Sequence, residues 1–139
     1  LRKANAVGVI DMAKLELMKT IETGPDANRL YLNPGNSRYG LFANEAGKSD
    51  IVSIIDTQKD VKVKDIWTGL GPHNVAFDPD GKFAVISTKK ENVATLVDTG
   101  SADPNDWDVI TTDLDSGIQN NGVRWVPSPA ALKKALAQN

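Results

Sequence analysis

The chain has 139 residues, 40% of them hydrophobic and 24% charged, with a formal net charge of −2, which is the profile of one soluble globular domain with a modest core. That charge gives no reason to expect nucleic acid or an anionic membrane as partner, and there is no apolar run of about 18 residues to span a bilayer. With no cysteine, disulfides, thiolate metal sites and a cysteine nucleophile are excluded; compartment is not decided, because cysteine-free proteins occur on both sides of a membrane. The sequence opens on Leu1-Arg2-Lys3 with neither Met nor a signal peptide, so a processed product or a piece of a longer protein is expected.

Residues 6–11 are a short apolar run ending in an acid, and 15–22 alternate as a second strand, although 12–18 alone could be helical. Thr23-Gly24-Pro25-Asp26 is a loop. Residues 29–33 and 39–44 read as strands joined by the turn Pro34-Gly35-Asn36-Ser37, and 45–50 as a polar loop. The pattern then restarts. Residues 51–56 repeat the first run, 62–67 the second, and Thr68-Gly69 repeats Thr23-Gly24. Asp11 to Asp56, Gly24 to Gly69 and Pro34 to Pro79 are each 45 residues apart. Residues 69–88 are the best-preserved copy: a loop, a strand through Val75 and Phe77, the turn Asp78-Pro79-Asp80-Gly81, and a strand through Phe83, Val85 and Ser87. Proline presets one backbone angle of such a turn and glycine accepts the positive one.

A third copy starts at 93–98, with Asp98 42 residues after Asp56. Its second strand, 107–112, follows a longer loop, and 121–127 matches 73–79 at a step of 48. Ser128-Pro129 is a helix start, followed by the helix formers of 130–137. Steps of 40 to 45 residues with four strands each are the mark of a β-propeller, one repeat per blade; a β-sandwich of unequal strands is the main competitor.

Ile54-Ile55-Asp56-Thr57, Val97-Asp98-Thr99 and the stretch from Gly71-Pro72-His73 through Asp78-Pro79-Asp80-Gly81-Lys82 carry a closer likeness. Over residues 6–127 the chain resembles the YVTN-type β-propeller repeat. Similar blades build surface-layer and other extracytoplasmic proteins, and they look like those of haem d1 nitrite reductases and of nitrous oxide reductase. The resemblance implies an all-β chain of four-stranded antiparallel blades. The Pro-Asp-Gly hairpin would supply the inner two strands and the Val-Ile-Asp pair the outer two. Full blades are then expected at 29–68 and 73–112, with partial blades at each end of a repeat region 1–127 and a helical segment at 128–139. The first copy has Tyr39-Gly40-Leu41-Phe42-Ala43-Asn44 only loosely in place of the usual Tyr-Val-Thr-Asn strand, and the third lacks its second inner strand. A propeller typically closes with 4 to 8 blades. The expected partners are therefore other propeller chains or the rest of a longer protein.

His73, the sole histidine, aligns with Asn28 and Asn121, each six residues before a proline. With the neighbouring Asn74, these residues are expected to line one mouth of the central channel and to contact a ligand there, His73 from a loop that leads into the innermost strand. A turn or cap role for His73 is the competing reading. The resemblance admits a metal or haem ligand at such a place, but one histidine cannot build a multi-histidine copper site, so metal and cofactor stay unknown. The acids Asp103, Asp106, Asp108, Asp113 and Asp115 lack the spacing of a Ca²⁺ loop and read as solvated. No nucleophile–base–orienter set is visible, so no catalytic residue is named. Trp125 is expected to pack between blades, and Trp107, which follows a polar loop, to pack rather than to make a surface contact. The functional expectation is a non-catalytic binding or scaffold module, which the resemblance implies to lie in the periplasm or outside the cell. The alternative is a segment of a redox enzyme carrying haem d1 or copper.

Overall fold

The computed structural model describes residues 1–46, 48–116 and 122–124. Among the described residues, ten strands fall into three antiparallel sheets. Strands β1 (Ala6–Asp11) and β2 (Glu16–Glu22) form a two-stranded hairpin. Strands β3 (Ala27–Leu32), β4 (Tyr39–Asn44), β5 (Ile51–Asp56) and β6 (Val61–Trp67) form a four-stranded meander. Strands β7 (Pro72–Phe77), β8 (Phe83–Thr88), β9 (Val93–Asp98) and β10 (Asp108–Asp115) form a second one. The sheets extend a residue or more past the bounds expected from sequence: β3 and β7 begin before Arg29 and His73, and β10 runs to Asp115. The expected helix over 128–139 and the strand over 121–127, with Trp125, lie outside the described residues.

Local chemistry explains why the repeat folds the same way each time. The aspartate ending each third strand closes the next turn with its own carboxylate. Asp11 Oδ1 accepts from the backbone N–H of Ala13 at 2.8 Å, Asp56 Oδ1 from Gln58 at 3.0 Å, and Asp98 Oδ1 from Gly100 at 2.9 Å. Segment 12–18, the possible helix, contains a turn followed by β2. The threonines after β2 and β6 tie back: Thr23 Oγ1 donates to Asn5 O at 3.2 Å and Thr68 Oγ1 to Asp50 O at 3.1 Å.

The meanders stack face to face. Tyr39, Leu41, Val52, Ile54 and Ile66 of the first sheet meet Val75, Ala84, Ile86, Val97 and Trp107 of the second in one buried cluster. Each aliphatic side chain buried this way contributes about 1.5–3 kcal/mol. Trp107 packs as expected, nearly edge-on to Tyr39 with ring centroids 6.0 Å apart, whereas Trp67 is exposed. The hairpin lies on the other face of the first sheet, where Ile21 with Val7 and Val9 covers Ala27, Phe42 and Ile55. Asn33 stitches the two meanders at the turns: its Nδ2 donates to Gly81 O at 2.8 Å while its Oδ1 accepts from Gly35 N.

Among the described residues, β1 is bonded to β2 alone, whereas β5, at the same place in the repeat, is bonded to both β4 and β6.

Candidate functional site

Strands β3 and β7 begin their sheets at one end of the stack, and the repeat places Asn28 and His73 at the same position on them, 45 residues apart. Both strands break their ladder there. The pairing of β3 with β4 shifts between Ala27 and Arg29, and that of β7 with β8 between Pro72 and Val75. Such bulges release a residue from regular pairing and re-aim its side chain. His73 thus sits within strand β7, inside the bulge, and not in the preceding loop that the sequence suggested.

The released side chains gather around a residue that sequence reasoning missed. Glu45, just after β4 and largely buried, accepts from Asn28 Nδ2 at 2.6 Å, stands 3.6 Å from His73 Nε2, and forms an ion pair with Lys89. Lys89 follows β8 as Glu45 follows β4, 44 residues apart, the same step as from Tyr39 to Phe83. Neighbouring repeats therefore carry opposite charges at one position, and the pair closes across the blade boundary. That charge alternation at a fixed repeat step is the signal that could have found these two residues.

Asn74 is held from the neighbouring sheet as well. Tyr31 Oη donates to Asn74 Oδ1 at 2.5 Å, and the backbone N–H of Asn74 donates to Ser87 Oγ at 3.2 Å. A Cβ on Gly122 would stand 3.4 Å from Asn74 Nδ2, so the chain returns to this end of the stack after the second sheet. Asn121 lies outside the described residues. Asn28 and His73 come together around Glu45, which Lys89 pairs, while Asn74, half-buried like both of them, is held beside His73 by Tyr31 and Ser87. Among the described residues no three His, Asp or Glu side chains are grouped to hold a metal ion, which includes the acids of 103–115.

At the far end of the same strands, Arg38 grips Asp56 with two nitrogens. Nε lies 3.1 Å from both carboxylate oxygens and Nη2 lies 2.6 Å from Oδ2. The hydrogen bonds from Arg38 hold the Asp56 carboxyl below the usual carboxylate range, against the opposing effect of burial, with help from the N–H groups of Lys59 and Gln58. The Arg38 guanidinium, raised in turn by the same bond, also lies over the Tyr39 ring at 5.0 Å.

No family model matches the chain, and no curated protein matches it in sequence. Solved structures do. Dihydro-heme d1 dehydrogenase NirN, solved in complex with DHE, is similar over 91% of this chain and 26% of its own, with a TM-score of 0.70 and 17% identity. Hydrazine synthase of Kuenenia stuttgartiensis is similar over 78% of this chain and 32% of its own, with a TM-score of 0.62 and 24% identity. A putative 6-phosphogluconolactonase of Bacteroides fragilis is similar over 84% and 35%, with a TM-score of 0.62 and 21% identity. The chain spans between a quarter and about a third of the length of these proteins. Stacked four-stranded meanders, a 45-residue step between their strands and these structural likenesses together establish a β-propeller fold.

Proposed function

We propose that the chain is a non-catalytic binding and scaffold module of YVTN type. Its repeat region, 1–127, with the segment 128–139 behind it, would be a set of blades acting in the periplasm or outside the cell. Further propeller chain or partner chains would complete the ring. A polar small-molecule ligand would be taken at the channel mouth by Asn28, His73, Asn74 and Asn121, with Glu45 and Lys89 setting the charge. The observation that carries this reading is the pair of bulges that lift Asn28 and His73 off the ladder toward Glu45. Ring completion is supported by the edge of β1 that no other described strand pairs, and by the exposed apolar side chains of Leu1 and, on the hairpin, Ile10 and Leu17. An open strand edge of this kind recruits another strand.

The test has two arms. Sedimentation of the isolated chain should give species heavier than 14.9 kDa, and a stable monomer of that mass would overturn ring completion. Native mass spectrometry of the assembled protein should detect a bound small molecule that His73→Ala releases; retention of the molecule by the variant would remove His73 from the site.

A second reading, a segment of a redox-cofactor propeller enzyme, is favoured by the likeness to dihydro-heme d1 dehydrogenase and by a histidine at the mouth. The residues fit copper poorly: one imidazole faces a carboxylate already joined to Lys89. A haem iron, if bound, would be held by His73 through Nδ1, or through Nε2 with the imidazole turned away from Glu45. A visible absorption spectrum of the native assembly separates the readings, being featureless for the scaffold and showing a Soret-region or copper band for the enzyme.

A further inference from the structure

The turn between the third and fourth strand of the repeat is built twice on one plan and once on another. Four residues make it in the hairpin and in the first sheet, 12–15 and 57–60, but nine make it in the second sheet, 99–107. In repeat proteins, insertions of this kind gather on a binding face. This insert is well anchored. Asp103 Oδ1 caps a short 3₁₀ turn, Pro104–Asp106, by accepting from Asn105 N at 2.9 Å. Trp107, 1% exposed, donates Nε1 to Ser101 O at 2.9 Å. From the first sheet, Lys64 Nζ donates to Asn105 O at 2.6 Å and to Trp107 O at 2.7 Å.

Between this insert and the first sheet lies a cleft of about 660 Å³, walled by Arg38, Lys59 and Val63 on one side and by Asp103 and Asn105 on the other, with Tyr39 among its lining residues. Small-molecule sites have volumes of about 300–1,000 Å³. Both walls belong to this chain, so addition of further blades at the ends of the stack leaves the cleft open. It lies where β4 starts and β5 ends, whereas the channel mouth lies where β3 starts and β4 ends. A six-residue strand, about 20 Å, separates the two.

The chemistry of the walls is specific. Arg38 commits Nε and Nη2 to Asp56, which leaves Nη1 as a donor. Lys59 is exposed and has no ion-pair partner among the described residues. The Asp56 charge is already met by Arg38 and by two backbone N–H groups. One cation and one guanidinium edge therefore point to a single negative charge. Val61 and Val63 offer apolar surface beside it, and the carboxylate of Asp103 opposite disfavours a polyanion. We propose that the cleft between Arg38–Lys59 and the 99–107 insert is a binding site for a small carboxylate with an apolar body, independent of the channel mouth.

The probe is benzoate, with benzyl alcohol and inorganic phosphate as comparators, added to the 139-residue chain while its amide NMR signals are followed. Benzoate should give saturable shifts confined to residues such as Lys59, Val61, Ala102 and Asn105, while benzyl alcohol and phosphate give none. Lys59→Gln should weaken benzoate about threefold, the scale of one exposed charge pair, and Asp103→Asn, which keeps a capping side chain, should tighten it about twofold. Shifts spread evenly over exposed lysines such as Lys3 and Lys19, no saturation below about 10 mM, or an affinity unmoved by either substitution would each overturn the assignment.

Discussion

Ile10 and Ile55 occupy the same position of the repeat, 45 residues apart on β1 and β5, yet Ile10 is 56% exposed and Ile55 only 1%. The hairpin covers Ile55 through Val7, Val9 and Ile21, and no described element does the same for Ile10. Truncation should therefore separate the two positions. Ile55→Ala should cost about 2–5 kcal/mol of unfolding free energy, and Ile10→Ala less than about 0.5 kcal/mol at dilutions where the chain is monomeric, measured by urea denaturation. In the completed ring Ile10→Asp should disrupt assembly, read as a loss of the heavier species on sedimentation.

The Arg38–Asp56 pair makes stability depend on pH. Because the folded chain holds the Asp56 carboxyl below its ordinary range, the unfolded chain binds that proton more readily. The stabilisation is present above the unfolded pKa of about 4 and is lost as pH falls through the lower folded value. Denaturation midpoints at pH 7 and pH 3 should differ in that direction. Asp56→Asn should lower the pH 7 midpoint and flatten the difference, because it removes charge-assisted hydrogen bonds worth about 1–3 kcal/mol.

Gly81 has a φ of +69°, and a Cβ there would stand 1.8 Å from Asn33 Oδ1 and 2.7 Å from Gly35 N. Gly81→Ala strains the backbone and pushes apart the turns that join the two meanders. A loss of about 2–3 kcal/mol is expected. Asn33→Ala removes the stitch to Gly81 O and the bonds that Oδ1 accepts from Gly35 N and Asn36 N, but it strains no backbone and should cost somewhat less, about 1–2 kcal/mol. Thermal unfolding of the two variants checks the order.

Leu15 adopts a left-handed φ of 56° in the hairpin turn, and its counterpart Asp60 has 54°. The left-handed region costs a residue such as leucine about 1–2 kcal/mol, and glycine or asparagine relieves much of it. Leu15 is also exposed, so its removal forfeits little burial. Leu15→Gly and Leu15→Asn should raise the unfolding free energy by about 1 kcal/mol, and a lower midpoint for both would refute the strain argument.

Much of the architecture was legible before any coordinates because its signals are local. An aspartate that closes its own turn, a threonine that ties back one strand, and proline and glycine at fixed turn positions act within a few residues, so they recur at a readable step. The steps from Asp11 to Asp56 and from Asn28 to His73 correspond to strands that match residue for residue, β1 with β5 and β3 with β7. Strand ends were less legible, since the bulges before Arg29 and Val75 arise from pairing with a neighbouring strand and leave no composition signal.

The sequence by itself determined the repeat, the meander order within each blade and the shared position of Asn28 and His73, because those depend on turn chemistry and strand periodicity. Tertiary structure alone decided that Glu45 joins Asn28, His73 and Lys89, that Tyr31 holds Asn74, and that the 99–107 insert faces Arg38 across a cleft. Apart from Asn28 and Glu45, which belong to one sheet, those groups are brought together by the packing of one blade on the next, which places side chains as much as 44 residues apart within bonding distance. No local pattern specifies that contact; the buried face around Leu41, Ile54 and Trp107 does.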